Sequence, residues 1–505
     1  MNEYLAAVDQ GTTGTRCILF NLSGCAVAAA YREHRQIYPQ PGWVEHDALE
    51  IWARTQEVVR EAVAAAPRGR ILAVGITNQR ETVVAWDART GRPVHNAIVW
   101  QDTRTEPDCR ALIAAGWDDD VRARTGLPIS TYFSATKIRW LMANVPEARD
   151  LAAAGHLRLG TVDTWVIWNL TGGPLGGAHV TDPTNASRTL LCGLDDLSWD
   201  PVLLGRFGIP DGVLAAIRPS AAAEPYGRTL ADGPFGEVIP VCGDLGDQQA
   251  ALVGQACFAP GEAKNTYGTG SFLLQHAGAA PVRSTRGLLG TAAYDLGAAR
   301  AGGRAYALEG SVAITGAAVQ WLRDNLGLIS SAAETEAIAA QVPDAGGIYF
   351  VPAFSGLFAP HWDMSARGAI VGLTRFVTKA HLVRATLEAI CFQSREVLDA
   401  MVADSGHAVS VLKVDGGATG NDLLMQLQAD ILGVPVVRPA VRETTALGAA
   451  YAAGLAAGAF TSTEELRALW KAERTFEPTW DEDRRESALR GWKRAVERTR
   501  GWIEP

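Results

Sequence analysis

Asp9-Gln10-Gly11-Thr12-Thr13-Gly14-Thr15-Arg16 separates two apolar runs, Tyr4–Val8 and Cys17–Phe20. The pattern reads as strand, tight turn, strand. The turn opens on an acid, is crowded with glycines and hydroxyls, and closes on an arginine. A backbone turn of this kind can point several N–H and O–H donors at one anion. It is therefore expected to hold the phosphates of ATP, with Asp9 facing a bound magnesium ion. On these residues alone a plain hairpin remains open, its Gly and Thr serving only the turn geometry.

A second stretch repeats the plan. Ala263-Lys-Asn-Thr-Tyr-Gly-Thr-Gly-Ser-Phe272 is again a strand running into a Gly/Thr turn and out into a strand. A faint internal repeat of this kind predicts two lobes. Between and around the two hairpins, strand and helix signals alternate, which predicts an α/β fold. Asp47 to Ala66 is expected as a helix, N-capped by Asp47, with Leu49, Trp52, Val59 and Val63 on its inner side. Ile71–Ile76 and Val238–Cys242 read as buried strands, and Ala250 onward as a helix. Lys379 to Ala403 is a long amphipathic helix with Val383, Leu387, Ile390, Val397 and Met401 inward. Asn421 to Leu432 is a helix stopped by Gly433. The alanine-rich stretch Gly448–Phe460 is too short to span a bilayer and is expected as a buried helix. The lobe boundary is placed near Gly254–Gly261, giving residues 1–254 and 255–505, with 461–505 as a helical cap.

Length and composition agree. With 505 residues the chain exceeds one ordinary core. A net charge of −9 argues against nucleic acid or an anionic membrane as the main partner. Seven scattered cysteines without a Cys-x-x-Cys pair indicate neither a zinc site nor a disulfide framework, so a reducing compartment, the cytoplasm, is expected. The first residues do not resemble a signal peptide.

The sequence has no Gly-x-x-x-x-Gly-Lys-[Ser/Thr] loop, no Gly-x-Gly-x-x-Gly opening a helix, and no protein-kinase motif set. Two phosphate-clamping hairpins in two similar lobes would instead hold ATP in the cleft between them. Phosphoryl transfer then needs a metal and a base for the acceptor hydroxyl. Asp9 suits magnesium, which is usually bound by one or two carboxylates plus phosphates. Asp247 follows a strand and could take a proton from an alcohol; it could equally be a helix N-cap. Arg80 and Glu81 follow a buried strand and could hydrogen-bond adjacent hydroxyls of a polyol, or form an ordinary surface ion pair. Trp100 and Phe272 could wall a small pocket or simply pack the core. Asn421 could touch a nucleotide or cap its helix.

Taken together, the ordered set of stretches resembles the FGGY carbohydrate kinases, from about the first residue to about Phe460. The set comprises Asp9–Arg16, Thr77–Thr82, Trp100–Arg104, Tyr132–Lys137, Gly160–Trp168, Thr184–Thr189, Gly246–Leu252, Lys264–Phe272, Ala307–Gly310, Val351–Trp362, Gly368–Leu373 and Val414–Gly417. Asn78-Gln-Arg-Glu-Thr82 and Asn265-Thr-Tyr-Gly-Thr-Gly270 are similar to the branch that phosphorylates glycerol. The resemblance implies two actin-like lobes, each with a ribonuclease-H-like core, and an active site in the cleft. It implies that Arg80, Glu81, Tyr132, Asp247 and Gln248 hydrogen-bond glycerol while Trp100 and Phe272 pack on its carbons. Thr12, Thr13, Gly14 and Arg16 would hold the polyphosphate from the first lobe. Thr269, Gly316, Gln320, Gly417 and Asn421 would contact ATP from the second. Asp247 would be the general base, and Asp9 and Asp247 the carboxylates on the magnesium side. Homodimers or homotetramers are expected by analogy.

Three departures stand out. Gly14 stands where the family often has serine, so a phosphate contact there would be backbone only. Asp244 brings an extra acid near Asp247 and, if close, is expected to raise its pKa. The stretch Ala231–Glu237 has neither Lys nor Arg, so regulation by fructose 1,6-bisphosphate, known in some relatives, is not carried over. Two rivals remain: a kinase for another polyol or sugar, and a non-enzymatic actin-like nucleotide switch.

Overall fold

The opening hairpin forms the centre of a sheet. In the computed structural model, which describes residues 2–297 and 303–503, β1 (Asn2–Gln10) and β2 (Gly14–Asn21) pair antiparallel from Tyr4↔Asn21 to Gln10↔Thr15. Residues 4–10 of β1 are all buried, as befits a strand covered on both faces. β3 (Ala26–Glu33), β4 (Gly69–Asn78), β5 (Gly227–Arg228) and β6 (Pro240–Gly246) complete six strands in the order β5-β6-β4-β1-β2-β3. β4 runs parallel to both β1 and β6, and Asn78 lies opposite both Gln10 and Gly246. Three strands therefore release their chains at one edge, where ligands bind in open α/β sheets.

The second sheet repeats this plan. Its strands are β7 (Ala263–Tyr267), β8 (Ser271–Gly278), β9 (Leu289–Asp295), β10 (Arg304–Val312), β11 (Leu412–Asp415), β12 (Val436–Pro439) and β13 (Ala472–Phe476). The order is β9-β10-β8-β7-β11-β12-β13. β7 pairs antiparallel with β8 and parallel with β11, just as β1 does with β2 and β4. The two-lobed α/β architecture expected from the repeat is what the chain adopts.

The principal helices are α1 (Ala48–Ala65), α2 (Val162–Leu170), α3 (Asp247–Gly254), α4 (Gly316–Asp324), α5 (Lys379–Ser405), α6 (Asp422–Leu432), α7 (Thr444–Ala457) and α8 (Glu482–Glu497). Asp47 caps α1, its Oδ1 accepting from the Leu49 and Glu50 N–H groups at 2.9 and 3.4 Å. The buried stripe of α1 is not the one expected. Ile51, Thr55, Val58, Val59 and Ala62 face the sheet, while Leu49 is half exposed and Trp52 and Val63 lie at the margin. Thr55 tolerates burial because its hydroxyl donates to the Ile51 carbonyl. The inward residues predicted for α5 are all buried, and Gly406 ends it at φ 71°. α6 is capped by Asn421 and stopped by Gly433 at φ 74°.

α7 is apolar on every side and buried almost throughout, as an all-round apolar helix must be. Although it lies between β12 and β13 of the second sheet in sequence, it packs on the first sheet and on α3. The approach is backbone to backbone: a Cβ on Gly448 would lie 1.8 Å from the Ala250 carbonyl oxygen. The tail is not wholly helical. Ala472–Phe476 adds strand β13 at the sheet edge, and Trp492 of α8 stacks on Phe392 of α5 at 5.2 Å. Among the described residues no helix is long and apolar enough to cross a membrane.

Candidate active site

The edge where β1, β4 and β6 end gathers the predicted polyol residues. β6 runs on to Gly246, so Gly243–Gly246 is strand rather than loop, and Gly246 is the N-cap of α3. Asp247 is thus the first helical residue and not the cap. Its Oδ1 accepts from the Gln248 N–H at 2.7 Å and faces Arg80 Nε at 3.0 Å. Both contacts fall on one oxygen, and the side chain is 32% exposed.

Arg80 and Glu81 do not pair with each other, and neither is at the surface. Both are almost fully buried. Arg80 forms a fork on Glu309 of β10, through Nη1 at 2.5 Å and Nη2 at 3.1 Å, and donates to Gln249 Oε1 at 3.1 Å. Glu81 accepts from Arg188 Nε at 2.7 Å. Its backbone has φ 63°, a conformation costing about 1 kcal/mol or more for a side chain of this kind. Burial pushes the Glu81 carboxyl up, opposed by Arg188 and Arg80. Burial would raise Glu309 too, but the Arg188 and Arg80 guanidiniums outweigh it and hold its pKa down at about 2.

Trp100, Tyr132 and Phe272 come together as a wall, with ring centroids 5.6 and 6.4 Å from Trp100. Phe272 belongs to the second sheet, so this wall closes the cleft between lobes. The Trp100 indole N–H donates to Thr12 Oγ1 at 2.9 Å, tying the wall to the first hairpin. Gln248 Oε1 accepts from Lys264 Nζ of β7, and Lys264 also donates to Thr266 Oγ1 at 2.9 Å. Burial lowers the Lys264 pKa to about 8, against the pull of Asp415, Asp247 and Glu309.

In the first hairpin, Thr13 is exposed and Arg16 bridges Asp9, at 3.5 Å, and Glu443. Gly14 has a steric reason: a Cβ there would stand 2.5 Å from the Arg32 carbonyl oxygen and 2.6 Å from the Tyr31 hydroxyl. Burial raises the Asp9 carboxyl to about 6; Arg16 pulls it down and Asp247 and Glu443 push it up. Asp9 and Asp247 therefore repel across the cleft, a situation that a divalent cation relieves. Among the described residues no cluster of three His, Cys, Asp or Glu could hold a metal ion.

Thr269, Gly316, Gln320, Gly417 and Asn421 all line one cavity of about 540 Å³ in the second lobe. Leu387, Ile390 and Leu424 give it an apolar floor. Asn421 is both cap and lining: its Oδ1 accepts from the Leu424 N–H at 2.9 Å and its Nδ2 donates to Thr335 Oγ1 at 3.1 Å.

Asp244 does not act where its sequence position suggested. It lies fully buried on β6, and the acids it meets are Asp163 and Asp182. Sequence reasoning gave no role to Glu309, Arg188, Lys264 or Glu443. The first three lie within stretches that carry the resemblance. The available signal was an acid inside an apolar strand, Tyr306-Ala-Leu-Glu-Gly310.

The N-terminal domain of the FGGY family of carbohydrate kinases matches residues 4–254, and its C-terminal domain matches residues 263–457. A protein named glycerol kinase from Mycobacterium tuberculosis is 58% identical, covering all of this chain and 97% of the relative. One of the same name from Chloroflexus aurantiacus is 59% identical, with both chains fully covered. A crystal structure of Plasmodium falciparum glycerol kinase with ADP superposes with a TM-score of 0.93 at 38% identity, covering 100% of this chain and 99% of that one. Matched across both lobes, the chain belongs to the FGGY family of carbohydrate kinases.

Proposed function

We propose that this chain is an ATP-dependent glycerol kinase, transferring the γ-phosphoryl group to a terminal hydroxyl and yielding sn-glycerol 3-phosphate. The observation that carries the reading is the small cage at the cleft floor. Charged groups of Arg80, Glu81 and Asp247 stand on one side, and the rings of Trp100, Tyr132 and Phe272 on the other. Such a cage suits a short chain with a hydroxyl on every carbon. Full-length relatives of this name at 58–59% identity support the substrate.

In this reading Arg80, Glu81, Tyr132, Gln248 and Asp247 hydrogen-bond glycerol, and Trp100 and Phe272 cover its carbons. Asp247 Oδ2 takes the proton of the attacking hydroxyl as general base. Thr12, Thr13, Gly14 and Arg16 hold the polyphosphate from the first lobe. Thr269, Gly316, Gln320, Gly417 and Asn421 hold ATP from the second, over the apolar floor of their cavity. Mg²⁺ would be held by Asp9 and Asp247 and would supply charge neutralisation on the phosphates. Closure of the lobes keeps water from taking the phosphoryl group. A cytoplasmic setting fits seven scattered cysteines, six of them buried. Assembly as a homodimer or homotetramer follows the family analogy alone.

The test is a coupled ATP-consumption assay across glycerol, dihydroxyacetone, xylulose and gluconate. Glycerol should give the highest kcat/KM. Faster turnover of a five- or six-carbon substrate would remove glycerol as the substrate.

A further inference from the structure

Two buried charges stand between the polyol residues, and neither is a polyol residue itself. Glu309 lies on β10 of the second lobe; Arg188 follows the short helix Pro183–Ala186 of the first. Glu309 Oε2 accepts from Arg80 Nη1, and Oε1 accepts from both Arg80 Nη2 at 3.1 Å and Arg188 Nη2 at 3.0 Å. Arg188 Nε then meets Glu81, and Arg80 Nε meets Asp247. The result is one alternating chain of charge, Glu81–Arg188–Glu309–Arg80–Asp247. Its first four side chains are at most 2% exposed, whereas Asp247 is 32% exposed and is the end that opens to the cleft.

The geometry has a chemical consequence. A guanidinium beside a carboxylate prefers to grip both oxygens through two parallel N–H bonds. Arg80 sits beside Asp247 without doing so: its Nη1 and Nη2 are turned to Glu309 and Gln249, and the contact with Asp247 runs from Nε to Oδ1. Freed from Glu309, the Arg80 fork could swing onto both oxygens of Asp247 and cover Oδ2. Arg188 keeps Glu309 in place by taking its Oε1, and at its other end orients Glu81.

We propose that Glu309 and Arg188 are positioning residues for phosphoryl transfer. They hold Arg80 on a single oxygen of Asp247, keep Oδ2 open to the acceptor hydroxyl, and fix the span between Asp247 and Glu81. The second lobe thereby sets the geometry of a base carried by the first. The inference rests on the glycerol kinase reading above.

Steady-state kinetics on the full-length chain test it, with glycerol and ATP varied separately. Glu309→Gln should lower kcat at least 100-fold while KM for ATP stays within threefold, because the nucleotide cavity touches none of these residues. Glu309→Asp keeps the charge but is one methylene short of the fork. It should recover at least tenfold of the kcat lost in Glu309→Gln and remain below the parent. If Glu309→Gln does not fold, the charge-balanced pair Glu309→Gln with Arg188→Gln takes its place with the same expectation. A role in stability alone would lower the thermal midpoint and leave kcat per folded molecule unchanged. Any folded Gln variant with kcat and glycerol KM within threefold of the parent overturns the inference while the glycerol reading stands. A parent that fails to phosphorylate glycerol brings down both.

Discussion

Replacing Asp244 by Asn should stabilise the protein, and more so as pH rises. Asp244 is fully buried on β6, facing Asp163 and Asp182. Neither of its oxygens finds a hydrogen-bond donor. Asp163 is already supplied, by Thr181 Oγ1 at 2.7 Å and Asn78 Nδ2 at 3.2 Å. Two carboxylates cannot face each other without a proton between them, and Asp163 has donors of its own. Asp244 therefore holds the proton and donates it to Asp163. Burial first, then repulsion from Asp163 and Asp182, pushes its pKa well above 3.8. A raised carboxyl binds more protons folded than unfolded, so the stability it contributes is complete below pH 3.8 and drains as pH climbs toward the folded value. Keeping the proton costs about 1.4 kcal/mol for each pH unit above the free value over the range in which the folded acid stays protonated. Asn matches the protonated acid in shape, donates from Nδ2 as the acid did from its hydroxyl, and carries no such cost. Each kcal/mol corresponds to about 1 °C in midpoint if the chain unfolds as one unit, and about twice that if the first lobe melts alone. Thermal melts of parent and Asp244→Asn from pH 4 to pH 8 read the difference directly. The gap should be near zero at pH 4 and widen upward. A gap independent of pH, or a variant less stable at pH 8, refutes the protonated assignment.

Other changes probe single contacts. Asp247→Asn should cut kcat by about 10²–10⁴-fold, the usual worth of a positioned base, with glycerol affinity nearly intact; near-parental turnover removes Asp247 from that role. Gly448→Ala forces a methyl to within 1.8 Å of the Ala250 carbonyl oxygen and should cost about 3 kcal/mol or more by overpacking. Its denaturant midpoint should fall, and an unchanged midpoint would mean that α7 can slide. Asn421→Ala removes the cap of α6 at about 1 kcal/mol. It should also raise KM for ATP without changing KM for glycerol, which kinetics at fixed glycerol would show. Gly14→Ser should destabilise the first hairpin by about 1–3 kcal/mol through the Arg32 carbonyl. Relief from Tyr31→Phe should be incomplete, because the Arg32 backbone cannot move aside as a side chain can.

How much of this was legible in the sequence depends on the distance over which each feature is decided. The hairpins at Asp9–Arg16 and Tyr267–Ser271 were readable because turn chemistry and strand periodicity are local. So were Asp47, Gly406 and Gly433, whose capping roles need only their own helices. The inner face of α1 was misplaced because helical spacing defines a stripe but not its rotation on the sheet. Ile51 and Val58, rather than Leu49 and Trp52, decide where it sits. For Asp244 the sequence left the distance to Asp247 open; in the fold its acidic neighbours are Asp163 and Asp182, brought to it from far along the chain.

The cage shows the other limit. Each polyol residue was nameable from its motif, but its partner was not, because every decisive contact joins residues far apart. Arg80 meets Glu309, Glu81 meets Arg188, and Gln248 meets Lys264. Sequence reading weighed Arg80 and Glu81 as a possible pair with one another. A left-handed backbone at Glu81 instead sends the two side chains to different partners. The same logic explains why the second lobe was underrated. It was expected to supply nucleotide contacts and Phe272, yet it also contributes Glu309 and Lys264 to the polyol side, and α7 to the first sheet. A lobe that shares its buried charges with its neighbour cannot move without straining them. The Glu309–Arg80 fork is thus a buried ionic link between the lobes beside the polyol residues.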